Sequence, residues 1–288
     1  METSRCKAFM ASVEYGSFSK AAEVLEYTPS GVSQLVNAFE DDMGFPLLIR
    51  DNKGVRPTDN GLTILAAVRE FLSQEEHIYQ LASEIKGLIT GTIKIGTYSS
   101  IAIHWLPWLI KHFQLNYPNI KIQMMEGIRQ EVTQWLDNRE IDIAFISYIV
   151  PMEYKWISLV DDQMIAVLPP NHPMAHLKSY PIEMCNQENF IMPGLRKDID
   201  ILELLQNHGL TPKITLSTVE NFAAISMIEQ GLGMSIMNEL TTKNWQADVV
   251  KLPLEPAQAV SLGIAFHSIK TVSPAAKRFI DYCRAAFL

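Results

Sequence analysis

The 288-residue sequence has no surplus of positive charge: 24 lysines and arginines face 32 aspartates and glutamates, a formal net charge of −8. A basic coat for nucleic acid is therefore excluded, and any DNA contact must rest on local arrangement. Cysteine is scarce as well. Cys6, Cys185 and Cys283 are odd in number and far apart, which excludes a disulfide framework and shows no metal-ligand spacing. No apolar run is long enough to cross a bilayer; residues 101–110 form the most apolar stretch, and His104 and Pro107 break it. The first twenty residues lack an apolar core behind a basic start, so no secretory signal is expected and a cytoplasmic location is. Catalytic signatures are missing too. The seven histidines are scattered, and there is no nucleophile elbow, phosphate loop or dinucleotide fingerprint. The sequence reads as a non-enzyme without cofactor or metal.

What is present falls into three regions. Residues 1–58 carry short helical patterns. Thr28 suits a helix cap and Pro29 the first helical position, after which Val32, Leu35, Val36 and Phe39 recur at helical spacing. Gly44 stops that helix, and Leu47 to Ile49 begin an extended arm that turns at Asn52-Lys53-Gly54. Residues 59–90 read as one long helix. Leu65, Val68, Leu72, Tyr79 and Ala82 approximate a heptad seam, expected to meet a second subunit. From Gly91 onward strands alternate with helices, which predicts parallel α/β sheets in two lobes. The expected division is lobe I at 91–163 and 266–288, and lobe II at 164–265.

The helix pair at residues 18–40 is the strongest chemical signal. Ala21 and Ala22 let a second helix approach closely, and that helix turns Val32, Leu35, Val36 and Phe39 inward. Ser30, Ser33, Gln34 and Asn37 fall on its other face, where amide side chains can pair with adenine and serines can reach bases or phosphates. Ser17 and Pro29, at the starts of the two helices, are placed for the groove edge. The arm adds Arg50, Lys53 and Arg56 as phosphate or minor-groove contacts. Against this, residues 1–61 hold six basic and nine acidic residues, so pattern alone leaves open an ordinary helical corner without DNA binding.

Gly16-Ser17-Phe18-Ser19-Lys20-Ala21-Ala22 with Leu25, Ser33-Gln34 with Glu40 and Gly44, and Leu47 to Arg50 followed by Pro57-Thr58-Asp59-Asn60-Gly61 resemble the N-terminal winged helix-turn-helix of the LysR-type transcriptional regulators. Further segments resemble their effector domains: Gly91 to Gly96, Leu106-Pro107, Tyr117-Pro118, Glu126-Gly127, Asp142-Ile143-Ala144, Asn171-His172-Pro173 and Gly231-Leu232-Gly233-Met234. The likeness covers essentially the whole chain. It departs from the family at Leu48-Ile49, at Phe39, and in lacking a cation between Pro29 and Phe39, which leaves the operator sequence open.

The resemblance implies a two-lobed domain like a periplasmic binding protein, with a small-molecule effector between the lobes. It also implies double-stranded DNA, another copy of the chain in a dimer or tetramer, and RNA polymerase as partners. The alternative is a cytosolic α/β small-molecule-binding protein or enzyme that does not bind DNA. Thr97-Tyr98-Ser99-Ser100 lies between a strand and a helix, and Ser217-Thr218 stands similarly before a helix near Val219. Their hydroxyls and N–H groups suit a small anion, with Ser147 at a strand end, Arg196 as a positive charge and Phe222 as an apolar cover. Plain helix capping explains any one of these serines and threonines equally well. Asp161-Asp162 reads as a solvated loop pair, and Cys185 as an inert thiol near the connection between lobes.

Overall fold

Hydroxyl caps start the second and third helices of the chain. The computed structural model describes residues 2–194, 198–269 and 271–287. In it α1 spans Thr3–Tyr15, α2 Phe18–Leu25 and α3 Pro29–Met43. The Ser17 hydroxyl accepts from the Lys20 N–H at 3.5 Å to start α2, and Thr28 Oγ1 accepts from the Gly31 N–H at 3.1 Å to start α3. Gly44, at φ 80°, ends α3. Phe9, Ala21, Val32, Val36, Phe39 and Leu47 have no exposed surface and form one core, with the Phe9 and Phe39 rings 5.7 Å apart. Burying such side chains is worth about 1.5–3 kcal/mol each. Leu35 is only half-buried at the edge of that core. The extended arm is a hairpin of β1, Leu48–Asp51, and β2, Gly54–Pro57.

The long helix α4 runs from Asp59 to Ile85. A Cβ at Gly61 would run into the Leu47 carbonyl, so glycine lets the first turn of α4 lie directly on the hairpin. The expected seam is corrected here. Leu65 and Val68 are buried, and Leu72 packs beside them, all against the winged-helix core of their own chain. The large apolar residues left outward are Leu62, Phe71, Ile78, Tyr79, Leu81 and Ile85, followed by Leu88 beyond the helix end. Phe71, Ile78 and Ile85 repeat every seven residues, Leu81 falls between the last two and Leu88 follows three residues on, so the exposed face also has coiled-coil spacing.

The remaining chain forms two lobes joined by long strands. Its elements are β3 (Gly91–Thr97), α5 (Ser99–His104), α6 (Leu106–Asn116), β4 (Ile120–Glu126), α7 (Arg129–Asp137), β5 (Ile143–Ser147) and β6 (Lys155–Leu168). They continue with β7 (Tyr180–Pro181), β8 (Asn189–Met192), α8 (Ile199–Asn207), β9 (Lys213–Ser217), α9 (Asn221–Glu229), β10 (Ser235–Asn238), α10 (Glu239–Thr242), β11 (Val250–Phe266) and α11 (Pro274–Ala286). One sheet runs β10-β6-β11-β5-β3-β4, and β8 pairs with β9 in a second. The parallel expectation fits β3 with β4, β3 with β5, and β8 with β9. It fails for β6, β10 and β11, which pair antiparallel because the two crossing strands traverse the lobes in opposite directions.

The lobe boundary also moves. Leu262, Ile264 and Phe266 of β11 join Ile93, Ile95, Phe145 and Phe279 in the lobe I core, whereas Leu252 and Leu254 join Phe190 and Leu204 in lobe II. The crossing lies where the β11–β6 register shifts, between Pro253 and Gln258, rather than at 265/266. Asp161 and Asp162 are not a solvated loop. Both lie in β6, and the buried Asp162 carboxylate accepts from the Leu240 N–H at 3.2 Å, joining the crossing strand to α10. Cys185 sits in a 3-10 turn at Ile182–Gln187 within the lobe II core, just after β7, which pairs with Leu254 and Glu255 beside the crossing, and burial pushes its thiol up to about 11.

Lobe I rests against α4 through ion pairs. Arg278 meets Glu84 at 2.7 Å, Arg69 meets Glu140 at 3.1 Å, and Arg139 meets Glu70 at 3.5 Å. The buried Gln80 carbonyl accepts from the Ala275 N–H at 3.4 Å. A groove of about 380 Å³ along this seam is lined by the Arg69–Glu140 and Arg139–Glu70 pairs, which leaves their charges answered within the chain. Among the described residues no helix is long and apolar enough to cross a membrane, and no cluster of three histidines, cysteines or carboxylates could hold a metal.

Candidate DNA-reading face and inter-lobe cleft

The face of α3 opposite Val32, Val36 and Phe39 is open. Pro29, Ser30, Gln34 and Asn37 are exposed and Ser33 is half-buried, so polar side chains project from a helix whose back is fixed by packing. Thr28 Oγ1 lies 3.1 Å from Ser30 Oγ, which orients that serine at the helix entrance. Ser17 is occupied as the α2 cap, leaving its hydroxyl a structural duty beside any phosphate contact.

The three cations of the hairpin differ in availability. Glu40 of α3 accepts the Leu47 and Leu48 N–H groups with Oε1 and the Arg50 guanidinium with Oε2, and Arg50 also lies over the Phe18 ring. Arg50 therefore anchors the hairpin as much as it offers charge. Arg56 is two-thirds exposed and held loosely to Asp51 at 3.3 Å. Lys53, at the turn, is exposed and has no ion pair among the described residues. Sequence reading did not single out Glu40 for this role, although its place ten residues before Arg50 was visible.

A cavity of about 320 Å³ lies between the two lobes. Of the expected effector residues, Tyr98, Ser99, Ser100 and Phe222 line it. Ser147 lies behind Tyr98: its hydroxyl is 3.1 Å from the Tyr98 hydroxyl and also accepts from Arg129 at 3.1 Å. Thr97 is buried, its hydroxyl turned to the Tyr98 carbonyl, and Thr218 gives its N–H to the Met192 carbonyl; neither lines the cavity. Arg196 lies outside the described residues. Ser99 and Ser100 are the first residues of α5 rather than caps before it, and α9 begins at Asn221 with Glu220 as its cap.

The charged lining residues that sequence reading missed are mostly acidic: Glu126, Glu131, Asp198, Asp200 and Glu220 line the cavity, with Arg129 as the cation among them. Glu131 accepts from the Ile128 N–H at 3.0 Å at the start of α7, and Asp198 accepts from the Ile201 N–H at 3.2 Å at the start of α8. Burial, reinforced by the neighbouring Asp198 charge, pushes the Asp200 carboxyl up to about 7, while the Ser147 hydroxyl and Arg129 pull it back. Burial likewise raises Asp198, and pushes the Tyr98 hydroxyl up to about 12. Phe222 stacks on Trp245 at 4.2 Å, giving the opposite wall a rigid apolar surface.

Two family models match the chain: "Bacterial regulatory helix-turn-helix protein, lysR family" over residues 4–62, and "LysR substrate binding domain" over residues 86–288. The chain belongs to the LysR family of transcriptional regulators. This LysR-type regulator is 33% identical to the uncharacterized regulator YvbU of Bacillus subtilis, across 100% of this chain and 99% of the relative. It is 27% identical to YoaU of the same organism, across the same shares of each chain. A full-length OxyR variant from Pseudomonas aeruginosa has the same fold, with a TM-score of 0.81 at 20% identity over 99% of this chain and 95% of that one. HinK from the same species, a LysR family regulator, superposes with a TM-score of 0.61 at 25% identity over 99% and 98% of the two chains. The LysR-type regulator thus combines a DNA-binding helix-turn-helix with a two-lobed effector domain, as its residues predict, and is not an enzyme.

Proposed function

We propose that this regulator is a cytoplasmic one-component switch in which α3 reads the major groove, the β1–β2 hairpin holds the flanking backbone, and a small molecule enters the inter-lobe cavity. The observation that carries the reading is α3 itself: Val32, Val36 and Phe39 are wholly buried while Ser30, Gln34 and Asn37 are exposed on the opposite face. Gln34 and Asn37 present paired donor and acceptor groups that match adenine edges, and Ser33 stands beside them. A full-length CbnR of the same fold, 18% identical with a TM-score of 0.69, was solved with its target DNA, which supports this placement.

Two copies meet along the exposed seam of Phe71, Ile78, Leu81 and Ile85 on α4. A symmetric dimer presents two copies of α3 and favours an inverted-repeat site. Ligand in the cavity favours one arrangement of the lobes. The ion pairs Arg278–Glu84, Arg69–Glu140 and Arg139–Glu70 between lobe I and α4 pass that arrangement to the linker helix and so to the DNA-bound pair.

Gel retardation on the DNA upstream of the regulator's own gene tests the first half: a retarded, sequence-specific band that Gln34→Ala weakens is the expected result. Thermal shift against a metabolite library tests the second, since a ligand that binds only the folded state raises the melting temperature with occupancy.

A further inference from the structure

We propose that the effector of this regulator is a small organic cation, a protonated amine on an apolar body, and not the small anion suggested by the hydroxyl-rich junctions at Thr97–Ser100 and Ser217–Thr218. This rests on the cavity between the lobes being the effector site, and concerns the charge of what binds there.

Carboxylates of the chain itself already stand where an anion would sit. A helix N-terminus attracts negative charge because its first N–H groups lack partners. Of the helices of eight residues or more that begin at the cavity, α7 has the Glu131 carboxylate accepting the Ile128 N–H at its entry, and α8 has the Asp198 carboxylate accepting the Ile201 N–H in its first turn. The third, α9, is preceded by Glu220. The guanidinium of Arg129 is engaged as well: it donates to the Ser147 carbonyl and hydroxyl. An incoming carboxylate would therefore meet one of the chain's own at α7 and α8, and at α9, where no side-chain cap is made, it would meet Glu220 on the lining.

The charged lining of the cavity is predominantly negative. Glu126, Glu131, Asp198, Asp200 and Glu220 face a single described cation, Arg129. Arg196 and Lys197 lie outside the described residues, yet counting both as turned inward still leaves the carboxylates in excess. A second anion in this space meets like charge at low dielectric, whereas an ammonium group is attracted by every carboxylate in it. Asp200 is the natural counter-charge. Its buried carboxyl is held up to about 7 because Arg129 does not fully offset Asp198 and desolvation. Phe222, backed by its stack on Trp245, and Tyr98 supply the aromatic wall against which the body of a cation packs.

The test uses the full-length protein and matched trios of small compounds, in which one linear, cyclic or aromatic body carries an amine, an alcohol or a carboxylate. Binding is read by ligand-detected NMR at millimolar concentration. The expected order within a trio is amine first and carboxylate last, with Asp200→Asn weakening the amine by about tenfold or more and leaving the alcohol unchanged. Asp200→Asn removes a repulsive charge, so the variant is expected to fold, and its melting temperature is measured alongside. Equal or tighter binding of carboxylates or alcohols, absence of binding by every amine, or amine binding indifferent to Asp200→Asn overturns the proposal. Carboxylate binding that Phe222→Ala abolishes would keep the cavity as the effector site and reject only the charge. Amine binding untouched by both substitutions would place the ligand elsewhere and reject the site too.

Discussion

Glu40 and Arg50 are joined at 2.6 Å across the gap between α3 and the hairpin, and the other oxygen of the same carboxylate accepts the Leu47 and Leu48 N–H groups at 2.7 and 2.9 Å. One mostly buried carboxylate thus fixes the angle between the reading helix and the wing. Losing it strands two backbone donors, and Glu40→Ala should destabilise the winged helix by about 1–3 kcal/mol. Faster hydrogen exchange at the Leu47 and Leu48 amides, with weaker DNA binding, is the expected signature. Unchanged exchange at those two amides would show that the hairpin holds its place without Glu40.

Gln34 and Arg56 should separate reading from holding. Gln34→Ala removes an exposed side chain, so stability stays constant while specific affinity falls by about 1–3 kcal/mol and base preference near its contact relaxes. Arg56→Ala should weaken binding to all sequences alike and lower the slope of log affinity against log salt by about one. Arg50→Ala should combine a smaller salt effect with lower stability, because its charge is already answered by Glu40. Titrations at several salt concentrations on specific and random duplexes resolve the three.

Much of this was legible in the sequence because the signals are local. Thr28, Pro29 and Gly44 bound α3 by capping chemistry, and the turn at Asn52-Lys53-Gly54 marks the hairpin. The face of α4 was not legible, since that helix carries two apolar stripes. Leu65, Val68 and Leu72 serve the near domain, Phe71, Ile78 and Ile85 the outside, and spacing alone does not say which neighbour each meets. The acidic lining was hidden for a different reason. Glu126 and Glu131, Asp198 and Asp200, and Glu220 come from three separated segments, which meet only because β6 and β11 carry the chain across both lobes. The helix α8 was missed although its signals were local: Asp198 as cap, then Ile201, Leu204 and Leu205 on one buried face.

The two stripes of α4 give opposite expectations for one kind of substitution. Ile78→Asp places charge on the exposed seam and should split the assembly while the winged helix keeps its own stability. Leu72→Asp places charge against the winged-helix core and should lower the melting temperature by burying an unpaired carboxylate. Sedimentation velocity with thermal unfolding of both variants is the check. A stable monomer in the unsubstituted protein at micromolar concentration would remove the seam as a dimer interface.

Asp162 should make the crossing between lobes sensitive to pH. Burial pushes its carboxyl up to about 6; the bond from the Leu240 N–H opposes this, and the neighbouring Glu239 adds to it. An unfolded aspartate titrates near about 3.9, so the folded state binds the proton more tightly than the unfolded one. Stability from this group therefore rises as pH falls through about 6 toward 4, and the cost of holding the charge is fully present above the folded value. Asp142 is raised to about 6 and Asp200 to about 7 by burial and act in the same direction, so the whole protein is expected to gain stability on mild acidification from pH 8. Asp162→Asn keeps an oxygen for the Leu240 N–H and removes the charge. Its melting temperature should exceed that of the unsubstituted protein at pH 8 and approach it near pH 5. A variant less stable at both values would mean that the charged carboxylate, rather than an acceptor oxygen alone, holds α10 to the crossing strand.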